Sequence, residues 1–433
     1  MSRRLPTGAL SRTAEVTRGA AEVGLKGLLH AIRRPLLDED ERREGRARLD
    51  ADTAKILFRT LGRLRGTALK VAQMMCLETD LVPDAVAQEL RKACYRVPPL
   101  SPALARDSVR QQLGGVETVF SRFNPRAFAA ASLGQVHAAT LRDGTEVAVK
   151  IQYPGVRETI ATDLAMLRGF VRTVPNPQFH LRLLDEIAAR ITEECDYRRE
   201  AAQTTWFREQ LGIPGLAVPA VIDACSRDRV ITTTRASGLH LDEWLATGPD
   251  PAVVQRAAQR LYDGFARSLY ELSRVHADPN HGNVLFGEDG EVTLLDFGCV
   301  RELTPQFSGD VAALMRAYAD EDEPAIAELT RRFGLFGTAS AEEARALEEE
   351  HMRPFAQWLA WPMQQPQFDF AKNRGYAAAG RKLFVNIVKK QVHLGIRAEF
   401  VFVNRTLYGL YRLFEDMGAT VSLRLPAPAA LTP

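Results

Sequence analysis

The sequence predicts an α+β protein with a helical extension over residues 1–115, a small β-containing lobe over 116–236 and a helical lobe over 237–433. Three observations carry this. Apolar residues recur at helical spacing from Leu49 to Gly115, two short β-branched runs joined by Arg142-Asp143-Gly144 follow, and helical periodicity returns after residue 237, broken by one short hairpin.

In the extension, residues 1 to about 36 carry seven Arg and Lys against Glu15 and Glu22, with Val16, Ala20, Val23 and Gly27 three to four apart and Leu28 next to the last. A basic amphipathic helix of this kind is a candidate contact for an anionic membrane surface, and equally a helix packed on the body with its Arg face in water. Leu49 to Gly115 reads as all-α, with breaks at Pro83, Pro98-Pro99 and Pro102. It contains Lys70 and Gln73, three apart on one helix face.

The pattern changes at Val119. Phe128-Ala129-Ala130-Ala131-Ser132-Leu133-Gly134-Gln135-Val136-His137 runs into a strand, the Asp-Gly turn, and Val147-Ala148-Val149-Lys150-Ile151. A loop of Ala, Ser and Gly at 129–134 lets backbone N–H groups approach phosphates, because no bulky side chain intervenes. A helical region from about Asp163 to Gln210, interrupted near Pro175 and Pro177, contains Glu193-Glu194-Cys195-Asp196-Tyr197-Arg198-Arg199-Glu200. Val218–Val221 and Val230–Thr234 read as strands, and Arg235 to Gly238 as the hinge that follows. Then Val254, Ala258, Leu261, Phe265, Leu269 and Leu272 mark a buried helix.

That helix leads to Val275-His276-Ala277-Asp278-Pro279-Asn280-His281-Gly282-Asn283, a hairpin, and Asp296-Phe297-Gly298. Phosphoryl transfer of the protein-kinase type needs a carboxylate near the nucleophile, an amide oxygen for one metal ion and a second carboxylate for the metals at the phosphates. Asp278 and Asn283, five apart, and Asp296 supply these in the expected order, although Ala277 stands where the pattern has Arg. Val147 to Lys150 matches the strand that carries a phosphate-binding lysine, whose carboxylate partner is Glu194 or Glu200. Only nine of the 56 basic residues are Lys, and none lies between Lys150 and Lys372, which favours a specific use of the compact ammonium of Lys150. The remaining chain reads as helical, and the absence of Ala-Pro-Glu after Gly298 counts against a protein-substrate platform.

Composition is that of an ordinary globular chain, 46% hydrophobic and 25% charged. A net charge of +2 gives no reason to propose nucleic acid as a partner. Five scattered cysteines without a C-x-x-C pair suggest neither a disulfide framework nor zinc, and point to a reducing interior. No apolar run reaches transmembrane length, so a cytoplasmic protein, peripheral at most, is expected.

In this order, the Lys70/Gln73 element, the Ala-rich stretch, VAVK, the E-x-D run, HADPNHGN and DFG resemble the UbiB or AarF-domain family of atypical kinases. The resemblance covers about residues 50 to 300, with a weaker likeness around Phe402 to Leu413. It implies a two-lobed protein-kinase-like fold with the amino-terminal helices over the active site, ATP and Mg2+ as cofactors, and ATPase or small-molecule kinase activity supporting coenzyme Q or isoprenoid-lipid metabolism. Carried over, Ala129, Ala130, Ala131, Ser132, Gly134 and Gln135 would cover the phosphates and Lys150 would hold them. Asn283 and Asp296 would bind metal, and Asp278 would be the base. Glu194 and Asp196 would form the family's E-x-D motif, with Lys70 and Gln73 inserted towards it. Ala72 replaces the family's Gly in Lys-x-Gly-Gln, and the transmembrane helices of some members are absent. Two other readings stand beside an ATP-dependent enzyme: a nucleotide-binding regulatory scaffold without turnover, and an atypical protein kinase.

Overall fold

A computed structural model describes Glu22 and residues 100–131, 133–171, 177–278, 281–336, 340–389 and 398–425. Lys70 and Gln73, the basic amino-terminal stretch and Ser132 lie outside the described residues. The described chain divides into two compact units, one of residues up to Arg198 with Asp223–Thr232, the other of Arg199–Ile222 and residues from Thr233 onwards.

In the first unit, helix α1 (Pro102–Leu113) starts where Pro102 occupies its first turn, Ser101 Oγ accepts the Leu104 N–H, and Gly114 ends it at φ 85°. Pro102 therefore begins a helix, as its fixed φ and missing N–H allow. A short turn of helix, α2 (Val116–Val119), leads to the sheet: β1 (Phe120–Phe123), β2 (Ala129–Ala131), β3 (Gly134–Leu141) and β4 (Glu146–Gln152). The order is β1-β3-β4-β6, with β2 paired to β3; β6 is Val230–Thr234. The Asp-Gly turn closes the β3–β4 hairpin in a register that sets Val136 against Lys150 and Gln135 against Ile151. Val147, Val149 and Ile151 are fully buried, so alternation turns exposed Glu146 and partly exposed Ala148 and Lys150 to the opposite face.

The Ala-rich stretch differs from the expected open loop. Ala129–Ala131 form strand β2, antiparallel to β3, so most of these residues have backbone committed to the hairpin. Alanine side chains are small enough for either use, which is why composition did not separate them. Helices α3 (Val156–Val171) and α4 (Pro177–Glu194) pack on each other, and Val156, Ile160 and Leu164 of the first and Leu184, Ala188 and Ile191 of the second are buried at the spacing of one helix face.

Helix α5 (Tyr197–Gln210) follows, then β5 (Leu216–Ala217). The strand expected at Val218–Val221 is displaced to Leu216–Ala217, because Pro219 has no N–H to give a ladder; Val221 keeps an isolated bridge to Thr233. In the second unit come α6 (Leu241–Ala246), α7 (Pro251–Ala266) with a wider π turn at Arg267–Glu271, and β7 (Arg274–His276). Asp250 caps α7 by accepting the Ala252 N–H. Val254, Ala258, Leu261, Phe265 and Leu269 enter the core as their periodicity predicted, while Leu272 is half-buried.

Strands β8 (Val284–Phe286) and β9 (Val292–Leu294) form the expected hairpin, with β5 added parallel to β9. Strand β10 (Val300–Glu302) pairs back onto β7. Helices α8 (Pro305–Ala319), α9 (Glu323–Phe333), α10 (Ala341–Leu347) and α11 (Arg353–Ala360) follow, then β11 (Phe368–Asp369), α12 (Tyr376–Lys389), α13 (Ala398–Met417) and β12 (Thr420–Val421). One apolar core joins α7, α8, α11 and α13 in this unit, with Phe370, Tyr411 and Phe414 fully buried within it. Among the described residues no helix is long and apolar enough to cross a membrane.

Candidate active site

Lys150 stands on β4, in the first unit, with its ammonium nitrogen 5.1 Å from the ring centre of Tyr197. A ring face that close attracts the cation by about 0.5–2 kcal/mol and sets its direction. The segment carrying Tyr197 is fastened to the same strand. Gln152, two residues past Lys150, donates from Nε2 to the Cys195 carbonyl at 3.0 Å, and Arg157 donates to the same oxygen at 3.2 Å. Glu194 closes α4, Asp196 lies in the turn, and Tyr197 opens α5, so the E-x-D segment sits beside the lysine strand. Burial pushes the Cys195 thiol up to about 11, which leaves this cysteine a protonated packing group.

Gly134 makes this arrangement possible. A Cβ there would lie 2.3 Å from the Ile151 carbonyl oxygen and 2.8 Å from Tyr197 Oη, so only glycine permits the approach. Gln135, expected near phosphates, is 1% exposed and its amide is engaged inside the unit. Its Oε1 accepts the Leu100 N–H, while its Nε2 lies 2.7 Å from His137 Nε2. His137 Nδ1 must donate to the Asn124 carbonyl, so its Nε2 is the acceptor for Gln135. Burial lowers the proton affinity of His137, in keeping with this neutral tautomer.

In the second unit, the stretch from Val275 to Asn283 and Asp296-Phe297-Gly298 are drawn together by hydrogen bonds. Ala277 N–H donates to the Cys299 carbonyl at 2.8 Å, Leu295 N–H to the Asn283 carbonyl at 2.8 Å, and His276 Nε2 to the Asp296 carbonyl at 2.8 Å. Asn283 Nδ2 donates to Asp278 Oδ2 at 2.8 Å. With its nitrogen so used, the amide oxygen is the Asn283 atom suited to a cation. Asp296 has φ 55°, a left-handed conformation that a non-glycine residue holds only when its surroundings enforce it. Its Oδ1 accepts the Gly298 N–H at 3.1 Å.

Glu200 lies in the first turn of α5, is 4% exposed, and comes within 3.7 Å of the position a Cβ on Gly298 would take. Around it α5 is fastened to β10: Arg199 donates to the Val300 carbonyl at 3.4 Å, and Gln203 to Glu302 at 3.4 Å. Arg274 pairs with Glu302 at 2.9 Å and stacks 4.1 Å above Trp206.

Ala277, the departure from the kinase pattern, is fully buried, so an arginine there would force a guanidinium into the interior. A cation reaches the loop from elsewhere: Arg405 of α13 lies 3.6 Å from Asp278 Oδ1. Neither Arg405 nor Tyr197 was identified from the sequence, although both lie in stretches that the resemblance touched.

The residues fit a divalent cation of the magnesium type. Among the described residues no three His, Cys, Asp or Glu side chains gather into a metal cage. An amide oxygen and one or two carboxylates, completed by phosphate oxygens and water, is the donor set magnesium takes with nucleotides.

Comparison with known proteins agrees with this geometry. The family model described as ABC1 atypical kinase-like domain matches residues 92–330. The rat protein "Atypical kinase COQ8B, mitochondrial" is 30% identical over 361 residues, 81% of this chain and 67% of the relative. "Probable protein kinase UbiB" of Azotobacter vinelandii is 31% identical over 273 residues, 60% of this chain and 51% of the relative. The chain thus spans about half to two thirds of the length of these curated relatives. A Mycobacterium tuberculosis structure, Rv3197 in complex with erythromycin, superposes with TM-score 0.60 at 25% identity, covering 90% of this chain and 100% of that one. With VAVK on a β-hairpin, Asp278 bonded to Asn283, and Asp296-Phe297-Gly298 closed onto the same loop, the chain belongs to the ABC1 atypical kinase-like family, which takes in the UbiB and COQ8 proteins.

Proposed function

We propose that the protein is an ATP-dependent phosphotransferase or ATPase of the UbiB type. Its acceptor would be water or a small, lipid-like hydroxyl compound in coenzyme Q or isoprenoid-lipid metabolism. The observation that carries the reading is the closure of the catalytic loop on Asp296, with Asp278 hydrogen-bonded to Asn283. That pairing fixes a carboxylate and an amide oxygen in one loop, and the backbone bonds hold the second carboxylate beside it.

Lys150 would hold the α- and β-phosphates, with Glu200 or Glu194 as its carboxylate partner. Within the second unit, Glu200 stands beside Gly298. Asn283 and Asp296 would hold magnesium, which when bound neutralises charge on the phosphate oxygens. The acceptor oxygen forms a bond to the γ-phosphorus and gives its proton to Asp278, and the β–γ bridging bond breaks with its electron pair leaving on ADP. Lys70, Gln73, Glu194 and Asp196 would form the family's regulatory contact, and residues 1–115, 116–236 and 237–433 the extension, the small lobe and the helical lobe.

The test is thermal stabilisation by ATP with and without magnesium, in wild type and Asp296→Asn. A ligand at a hundredfold excess over its dissociation constant stabilises the folded state by about 2.7 kcal/mol. Wild type should gain that much, and Asp296→Asn should lose the magnesium-dependent part. Equal gains in both proteins would remove Asp296 from the metal site. Stabilisation without any ATP turnover would favour the scaffold reading.

A further inference from the structure

Helix α13 lies outside residues 92–330, the stretch matched as the kinase-like domain. Its rotation is fixed by Phe400, Val403, Leu407, Tyr411 and Phe414, all in the core of the second unit. That leaves Phe402 and Arg405 to meet the catalytic segment. The Arg301 guanidinium, three residues past Gly298, lies 4.5 Å from the Phe402 ring centre. Arg405 Nη2 lies 3.6 Å from Asp278 Oδ1, while Asn283 occupies Oδ2.

Residues 275–283 contain no Lys or Arg, and buried Ala277 has no room for one. Arg274, just before them, is turned to Glu302 and Trp206. A carboxylate that works beside a triphosphate is repelled by it, and a cation close to that carboxylate offsets the repulsion. Side-chain exposures of 25% for Arg405 and 35% for Asp278 make this a partly exposed ion pair, of a kind that adds little to stability.

We propose that Arg405 is a positioning residue for phosphoryl transfer. Delivered by a helix outside the matched domain, its guanidinium holds the Asp278 carboxylate in the orientation that accepts the acceptor's proton. Helix α13 is then part of the catalytic apparatus. This rests on the reading of Asp278 as the base and adds no chemical step to it.

The experiment compares full-length wild type, Arg405→Met, Arg405→Lys and Asp278→Asn in ATP turnover, magnesium-nucleotide affinity and urea denaturation. A general base contributes about 10²- to 10⁴-fold, so Arg405→Met, which leaves the base present but poorly held, should lower kcat by about 10- to 100-fold. Nucleotide affinity and the urea midpoint should stay at wild-type values. Arg405→Lys should recover most of the loss, because a single contact at 3.6 Å needs the charge and not the bidentate fork. Unchanged kcat in Arg405→Met would overturn the proposal. So would equal loss in the Lys and Met variants, and so would a loss of kcat that merely follows a fall in the urea midpoint. Inactive Asp278→Asn beside fully active Arg405→Met would sink this inference alone, whereas active Asp278→Asn, or a wild type without turnover, would sink the reading of Asp278 with it.

Discussion

Replacing Gly134 by alanine adds one methyl group at the point where β3, β4 and Tyr197 come closest. The new Cβ would start 2.3 Å from the Ile151 carbonyl oxygen and 2.8 Å from Tyr197 Oη, against an ordinary limit of 3.4 Å. The Ile151 carbonyl would have to retreat by about 1.1 Å. It has little freedom to do so, since Ile151 is fully buried and sits opposite Gln135 in the ladder. Overpacking of a tight site costs about 1–3 kcal/mol and the strained ladder bond about 1 more, so a loss of about 2–4 kcal/mol is expected. Urea denaturation reads this as a lower midpoint at unchanged slope. Lys150 is the next residue on β4, so nucleotide affinity should fall with stability. Gly169→Ala is the control: it sits near the end of α3 with nothing within 4 Å of its Cβ position, and should raise stability by about 0.5–1 kcal/mol. A Gly134→Ala protein with the wild-type midpoint and nucleotide affinity would refute the close approach.

Lys150→Arg should sharply reduce nucleotide affinity and turnover although arginine serves at most basic positions of this chain, because under the proposed role a planar fork does not replace a compact ammonium held between a helix carboxylate and phosphates. Unchanged affinity and turnover would return Lys150 to an ordinary strand position. His137, whose proton affinity burial depresses, should titrate below the ordinary 6.5 in an NMR pH series. Above 6.5 it is neutral in both folded and unfolded chains; as pH falls below 6.5 the unfolded chain takes up the proton first, and stability declines towards the folded-state pKa. A midpoint at or above 6.5 would contradict the neutral tautomer that joins Gln135 to Asn124.

The elements read correctly from the sequence are those whose signals are local. Asp143-Gly144 fixes the β3–β4 hairpin, with Gly144 at φ 91°, because few residues tolerate that turn. The spacing of Asp278 and Asn283 reappears as a side-chain hydrogen bond of 2.8 Å, with Asn283 closing the short helical turn His281–Asn283. Contacts set by tertiary packing were not legible. Ala129–Ala131 has the composition of a loop and becomes a strand because β3 offers it an edge. Tyr197 has the pattern of any half-buried helix residue, and only the fold sets its ring below Lys150. Arg405 is one of many arginines until α13 brings it to Asp278.

The conformation of Asp296 shows how the second unit spends its hydrogen bonds. A left-handed residue other than glycine costs about 1–2 kcal/mol, and an isolated loop would relax from it. Here the Gly298 N–H caps the Asp296 side chain, His276 Nε2 holds its carbonyl, and Leu295 N–H, just before it, is tied to Asn283. Phe297, fully buried, packs edge-on against His276 and at 4.8 Å against Phe207 of α5. The same helix presents Glu200 to Gly298 and is fastened to β10 through Arg199 and Gln203. The strain at Asp296 is therefore maintained by groups from four separate parts of the chain: β7, the loop before β8, the residues flanking Asp296, and α5. Any movement of α5 within this unit must disturb Phe297 or the Gly298 approach before it reaches the Asp296 carboxylate, so under the proposed metal role this helix is the element whose position governs Asp296.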